Sequence, residues 1–171
     1  MLALLHTVVP AIFPLLVLIA ALQDVTSYTI SNRLSIGLAL AFIPSALIMG
    51  MAPGQIGLCL LVGAAALAAG VAMFAMGWIG GGDAKLFAAS ALWLGWPAVT
   101  PFLAWTSLAG GGLAVVLLLA RQAPIPAFNR TPAWVARLLE PKGDVPYGVA
   151  IAVGALIAFP ASSFLRPLGG H

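Results

Sequence analysis

Two aspartates stand out in a chain that has almost no charge. Asp24 lies in "ALQDVTSYTISNRL" and Asp83 in "WIGGGDAKLF"; they are the only acids in the first 139 residues. Two carboxylates brought together cannot both ionise cheaply, so they share a proton and titrate as a pair. The ionised member can then take a proton from water while the protonated one donates to a carbonyl oxygen, the general acid/base logic of aspartic proteolysis. Such chemistry needs no metal, thiol or serine, and the chain offers no constellation for those. Cys59 is the only cysteine and sits inside an apolar run, while His6 and His171 stand near opposite ends. No metal ligand set and no cofactor site is read here.

The residues around the acids carry open alternatives. Gly80, Gly81 and Gly82 precede Asp83. They either adopt positive φ and admit a substrate strand, loosening the helix end, or form a glycine-rich helix stop. Lys85 is two residues from Asp83, so on a helix the two do not share a face. It either snorkels to lipid phosphates or tunes the field around the acids. Asn32 either caps the following helix or bonds a bound peptide. Each acid taken singly is also open to a blander reading, as a helix-end charge at headgroup level.

The elements that must position these groups are membrane helices. The chain has 171 residues, 63% of them hydrophobic and only 6% charged, with a mean hydropathy of +1.13. Soluble domains hold about 45–50% apolar residues. Apolar runs predict helices at roughly 5–23, 34–50, 56–78, 84–96, 99–120 and 146–165, against about 20 residues needed to span a bilayer. The expected fold is all-α: a single integral-membrane domain over residues 1–171, a polytopic bundle of about six helices. "MAPGQ" and "GWPAV" mark turns. The one sizeable loop, about 121–145, contains "PAWVARLLEP", a candidate short amphipathic helix in the interface, and Asp144, read as a solvated charge. No basic region precedes the first apolar run, so that run is read as a retained helix rather than a cleaved signal.

Charge placement supplies an orientation. The sequence pI of about 9.6 rests on seven bases with no dense run, so no nucleic-acid partner is implied. With the N-terminus outside, Arg33, Lys85 and the four bases of the long loop fall on the cytoplasmic side and only Arg166 opposite, as the positive-inside rule requires. Asp24 and Asp83 then lie at one depth, at cytoplasmic helix ends. A charge at the centre of a membrane helix costs about 2.5–3.5 kcal/mol, less near the interface. Small residues at Ala64 and Ala68, Ala66 and Gly70, and Gly110 and Ala114 suit close helix packing.

At these residues a resemblance enters. "Gly-Gly-Gly-Asp-Ala-Lys-Leu" resembles the Gly-x-Gly-Asp motif of intramembrane aspartyl proteases, in the form typical of type IV prepilin peptidases. Asp24 followed by Ile30 and Asn32 resembles that family's first motif, and "VPYGVAIAVGAL" is similar to the last helix of the short members serving tight-adherence (Flp-type) pili. The resemblance implies a cytoplasmic-membrane enzyme that removes the basic leader from prepilins on the cytoplasmic side. Asp24 and Asp83 match the catalytic aspartates, Gly80 and Gly82 the motif's glycines, and Lys85 its lysine. Nothing matches the paired-cysteine domain of the longer methylating members, so cleavage without N-methylation is implied. The expected partners are a membrane-embedded prepilin and lipid. The sequence departs from the first motif at Ser31, where the family has proline, and in the uncharged "VTSYT". Two other classes are consistent with a pair of intramembrane acids: a proton- or cation-coupled carrier using them as a relay, and a non-catalytic secretion-apparatus subunit. The carrier reading lacks the midplane placement and internal repeats such proteins show.

Overall fold

The computed structural model describes residues 2–122, 132–141 and 143–165. Among these the chain is all-helical: α1 (Leu2–Ser27), α2 (Asn32–Ile48), α3 (Pro53–Ala75), α4 (Gly81–Leu94), α5 (Val99–Ala120), a short α6 (Ala133–Leu138), and α7 (Tyr147–Ala158) with a 3-10 turn at Phe159–Ala161. Six helices correspond to the six apolar runs, and α6 lies within the "PAWVARLLEP" stretch. Arg130, Lys142, Arg166 and His171, which the reading of charge and histidine placement drew on, fall outside the described residues.

Among the described residues three helices are long and apolar enough to cross a membrane: Leu5–Ser27, Pro53–Ala75 and Val99–Ala120. Their outward side chains, such as Leu15, Leu22, Leu61, Val71, Leu108 and Leu119, are exposed. So large an apolar surface is stable only against lipid. α4 is the opposite case. All but five of its residues are buried, because α2, α3 and α7 pack around it, with α1 and α5 touching its flanks. A helix enclosed by its neighbours need not match the bilayer thickness, which accounts for its 14 residues.

Two devices bring α4 so close to α3. A Cβ on Gly63 would stand 2.9 Å from Leu92 Cβ, and one on Gly70 would stand 3.2 Å from Ala84 Cβ. Gly63, Ala66 and Gly70 therefore form the α4-facing stripe, the small-residue contact that lets helix backbones approach. Ala64 and Ala68, expected to share this role, are exposed; their register puts them on the outer face. Gly110 does meet a helix, its missing Cβ facing Tyr147 and Ala150 of α7.

At the end of the bundle away from the acids, Trp93 is the anchor. It is fully buried, rests against Phe13, Phe42 and Phe164, and its indole N–H donates to the Leu38 carbonyl at 2.8 Å. Ser163 closes the same end, its N–H donating to the Leu94 carbonyl at 2.9 Å. The far end of α4 is thus fixed by rings and hydrogen bonds, and its near end inherits a defined position.

Candidate active site

Asp24 is in the last turn of α1, three residues before its end rather than just beyond it. Gln23 helps to fix the exit: its side-chain oxygen accepts from the Ser31 N–H at 3.1 Å. Ser31 is also the N-cap of α2, its hydroxyl accepting from Leu34 N–H. The capping role considered for Asn32 therefore belongs to Ser31, because Asn32 is already helical. Ser31 uses an N–H that a proline would lack, so the departure at this position closes the turn by a different bond.

Asp83 is in the first turn of α4, whose N-cap is Gly80. Its carboxylate accepts from the Gly80 N–H, the acidic half of a capping box. None of Gly80, Gly81 and Gly82 has positive φ; among the described residues the glycines that do are Gly50, Gly77 and Gly95. The helix stop is made by Gly77, at φ +72. Trp78 N–H bonds Met73 O, and Gly77 N–H bonds Phe74 O, both at 2.9 Å, the Schellman arrangement. The triple glycine starts a helix instead, and what it supplies is close approach. A Cβ on Gly80 would lie 2.9 Å from Asp83 Oδ2, and one on Gly82 would lie 3.2 Å from Ile30 Cβ.

The two acids meet at one cavity of about 270 Å³, lined by Asp24, Tyr28, Thr29, Ile30, Gly80, Gly81, Gly82 and Asp83. They are near enough for the Asp24 charge to act on Asp83. Asp24 is 5% exposed, and its burial is compensated by α7. Asp24 Oδ2 accepts from the Gly148 N–H at 2.7 Å, and the Val149 N–H also bonds this carboxylate. A carboxylate at a helix N-terminus meets both free N–H groups and the positive end of the helix dipole. Asp83 has a second outlook, onto a groove of about 360 Å³ whose walls include Met73, Phe87, Leu103, Thr106, Gly110 and Ile151.

Lys85 and Asn32 are brought together, but with each other: Lys85 Nζ donates to Asn32 Oδ1 at 2.8 Å. Neither lines the cavity that holds the acids. Among the described residues no group of three His, Cys, Asp or Glu side chains converges as a metal site would need.

Gly148, Ile30 and Tyr28 were not selected as site residues by reading the sequence. Ile30 is the wedge between elements, touching the missing-Cβ positions of both Gly82 and Gly148. The available signal was a glycine in the first turn of the last apolar helix, where helix propensity disfavours it.

No curated protein and no solved structure matches the chain. A family model does, over residues 11–115, a stretch that runs from the first helix into the fifth and contains both aspartates. That match spans more than half of an apolar helical chain whose two acids share one cavity, and by it the chain belongs to the type IV leader peptidase family.

Proposed function

We propose that this membrane protein is an aspartic endopeptidase that removes the leader from Flp-type prepilins at the cytoplasmic face of the inner membrane, through Asp24 and Asp83 and without N-methylation. The observation that carries the reading is that the two acids, from separate helices, line one cavity. A water between the carboxylates is activated by the ionised one, while the protonated one donates to the scissile carbonyl. The tetrahedral intermediate then collapses with proton return to the leaving amine. No metal or cofactor enters this scheme.

The glycine-lined wall supports the same reading. With no side chain at Gly80, Gly81 and Gly82, a peptide in extended form can reach Asp83 with its backbone. The mostly apolar groove on the other side of Asp83 suits the apolar segment that follows a prepilin leader, so the cut falls where the peptide passes from membrane to water. The chain spans the membrane several times in this reading, with Lys85 and Arg33 on the cytoplasmic side. Lys85 holds the start of α4 beside α2, and the substrate's leader carries the charge.

The test is co-expression of candidate Flp-type prepilins with the wild-type chain, Asp24→Asn or Asp83→Asn, scored by pilin size and by mass of the new N-terminus. Loss of processing with either substitution, and an unmethylated N-terminus with the wild type, are expected. Undiminished cleavage by Asp83→Asn would refute the catalytic assignment. Proton flux in vesicles that depends on Asp24, without any cleavage, would point to a carrier instead.

A further inference from the structure

One residue in the acid cavity carries two unfavourable features, a left-handed backbone and an orphan hydroxyl. Tyr28 is the one non-glycine residue with positive φ among those described, at +53. L-residues other than Asn and Asp seldom adopt this backbone, and strain of this kind gathers at functional sites. Its hydroxyl is also buried without a hydrogen-bond partner, which native structures seldom tolerate without a reason. Three other hydroxyls share that condition, on Ser35, Ser90 and Thr106, but only Tyr28 lines the cavity of Asp24 and Asp83.

The positive φ has a structural account, since it ends α1 in the left-handed conformation with the N–H of Tyr28 returned to the carbonyl four residues back; the orphan hydroxyl has none. A phenylalanine would fill the same space without an orphan hydroxyl. Asp24 does not need the phenol, because Gly148 and Val149 already bond its carboxylate. The position is tied to Asp24: the Tyr28 N–H donates to the Asp24 carbonyl at 2.8 Å, which places the ring one helical turn beyond the acid. Tyr28 is also shared by a second cavity of about 280 Å³, lined with Arg137, Glu140, Gly143 and Asp144. It forms a wall common to the catalytic cavity and to the loop before α7.

We propose that Tyr28 is a substrate-binding residue whose phenol donates a hydrogen bond to a backbone carbonyl of the peptide on the leader side of the scissile bond. The inference rests on the peptidase reading above and adds a recognition contact to it. A peptide passing from the acids toward the loop cavity crosses Tyr28, and there it meets Glu140 and Asp144, acids that suit a basic leader, with Arg137 beside them. The phenol serves as a neutral donor throughout; burial pushes its pKa above the ordinary tyrosine value, which keeps the proton in place.

The experiment uses the full chain in detergent and a labelled synthetic peptide spanning the leader junction of a Flp-type prepilin. In an Asp83→Asn background, where the peptide stays intact, Tyr28→Phe is expected to weaken binding about five- to tenfold, the range of one neutral hydrogen bond. With both acids present it should raise KM by a similar factor and leave kcat within twofold, the pattern of lost uniform binding. Thermal stability should not fall, since no internal bond is removed. Should Tyr28→Phe fold poorly, Tyr28→Asn, which suits left-handed backbone, must show the same weakening. Binding within twofold of wild type for the folded variant overturns the inference, as does a loss confined to kcat. A wild-type chain that neither binds nor cuts the peptide overturns the peptidase reading and the inference together. A wild-type chain that cuts it while Tyr28→Phe binds normally overturns the inference alone.

Discussion

Asp24 is held by Gly148: the Oδ2 atom of the acid accepts from the glycine's backbone N–H at 2.7 Å, joining the end of the first helix to the start of the last. The contact leaves no room for a side chain. A Cβ at Gly148 would stand 2.8 Å from Asp24 Oδ2, 2.9 Å from Ile30 Cδ1 and 3.0 Å from Asp24 Cβ. Gly148→Ala must therefore push the carboxylate out of place or move α7 away. Overpacking a close contact costs about 1–3 kcal/mol, and an angstrom of misplacement at a reacting group costs about 100-fold in rate. The expected outcome is a near-complete loss of prepilin cleavage with a modest drop in the thermal midpoint. Cleavage at the wild-type rate would show that the position of Asp24 does not matter.

Gly82 makes the corresponding contact on α4. Its missing Cβ faces Ile30 Cβ at 3.2 Å and the Ile30 backbone nitrogen at 3.4 Å, so Gly82→Ala presses on the loop that carries Tyr28 and Thr29. Backbone gives way less easily than a side-chain tip. Cleavage should fall at least tenfold, with a loss of about 1–2 kcal/mol in stability. Gly54→Ala in α3, where an added Cβ meets nothing within 4 Å, is the matched control and should leave both unchanged. Equal effects from the two substitutions would refute the contact argument.

Most of the helices were legible because lipid exposure forces long apolar runs, and the α1, α3 and α5 spans are of that kind. Asp24 and Asp83 were legible because a charge is rare in such a sequence. What could not be read is any partner that is a backbone group. The N–H of Gly148 carries no side-chain signature, and its pairing with Asp24 joins residues 124 positions apart. The triple glycine stood open between positive φ and a helix stop, and for a related reason neither is what it does. Glycine types do not declare whether they serve positive φ or close approach, and it was Gly77, three residues earlier, that took the left-handed stop. Ser31 shows the converse: it departs from a familiar motif, yet its N–H and hydroxyl both find partners.

Arg121 should control the site from outside it. It lies just past α5, where its Nε donates to the Leu138 carbonyl at 3.0 Å and its Nη2 to the Asp144 carbonyl at 2.8 Å. The second bond fixes the segment four residues before Gly148, the donor to Asp24. Charged donors to a carbonyl contribute about 1.5–3 kcal/mol, less where water competes. Arg121→Met is expected to reduce cleavage three- to tenfold with little change in peptide affinity. Arg121→Lys should rescue it only in part, because a single ammonium does not reproduce the guanidinium fork. Full rescue by lysine would show that charge alone, and not the paired geometry, matters there.

Lys85 and Asn32 offer the sharpest separation of structure from chemistry. Their side chains bond at 2.8 Å across α4 and α2, and neither lines the cavity of the acids. If the pair only braces the two helices, removing either partner has the same consequence as removing both. A double-mutant cycle of Lys85→Met and Asn32→Ala should then give a coupling of about 0.5–1 kcal/mol in unfolding free energy, the scale of an exposed charged contact. The cleavage rate of each single variant should stay within tenfold of wild type, far above that of Asp83→Asn. A rate loss for Lys85→Met as deep as for Asp83→Asn, with no coupling to Asn32, would place the lysine at the reaction itself.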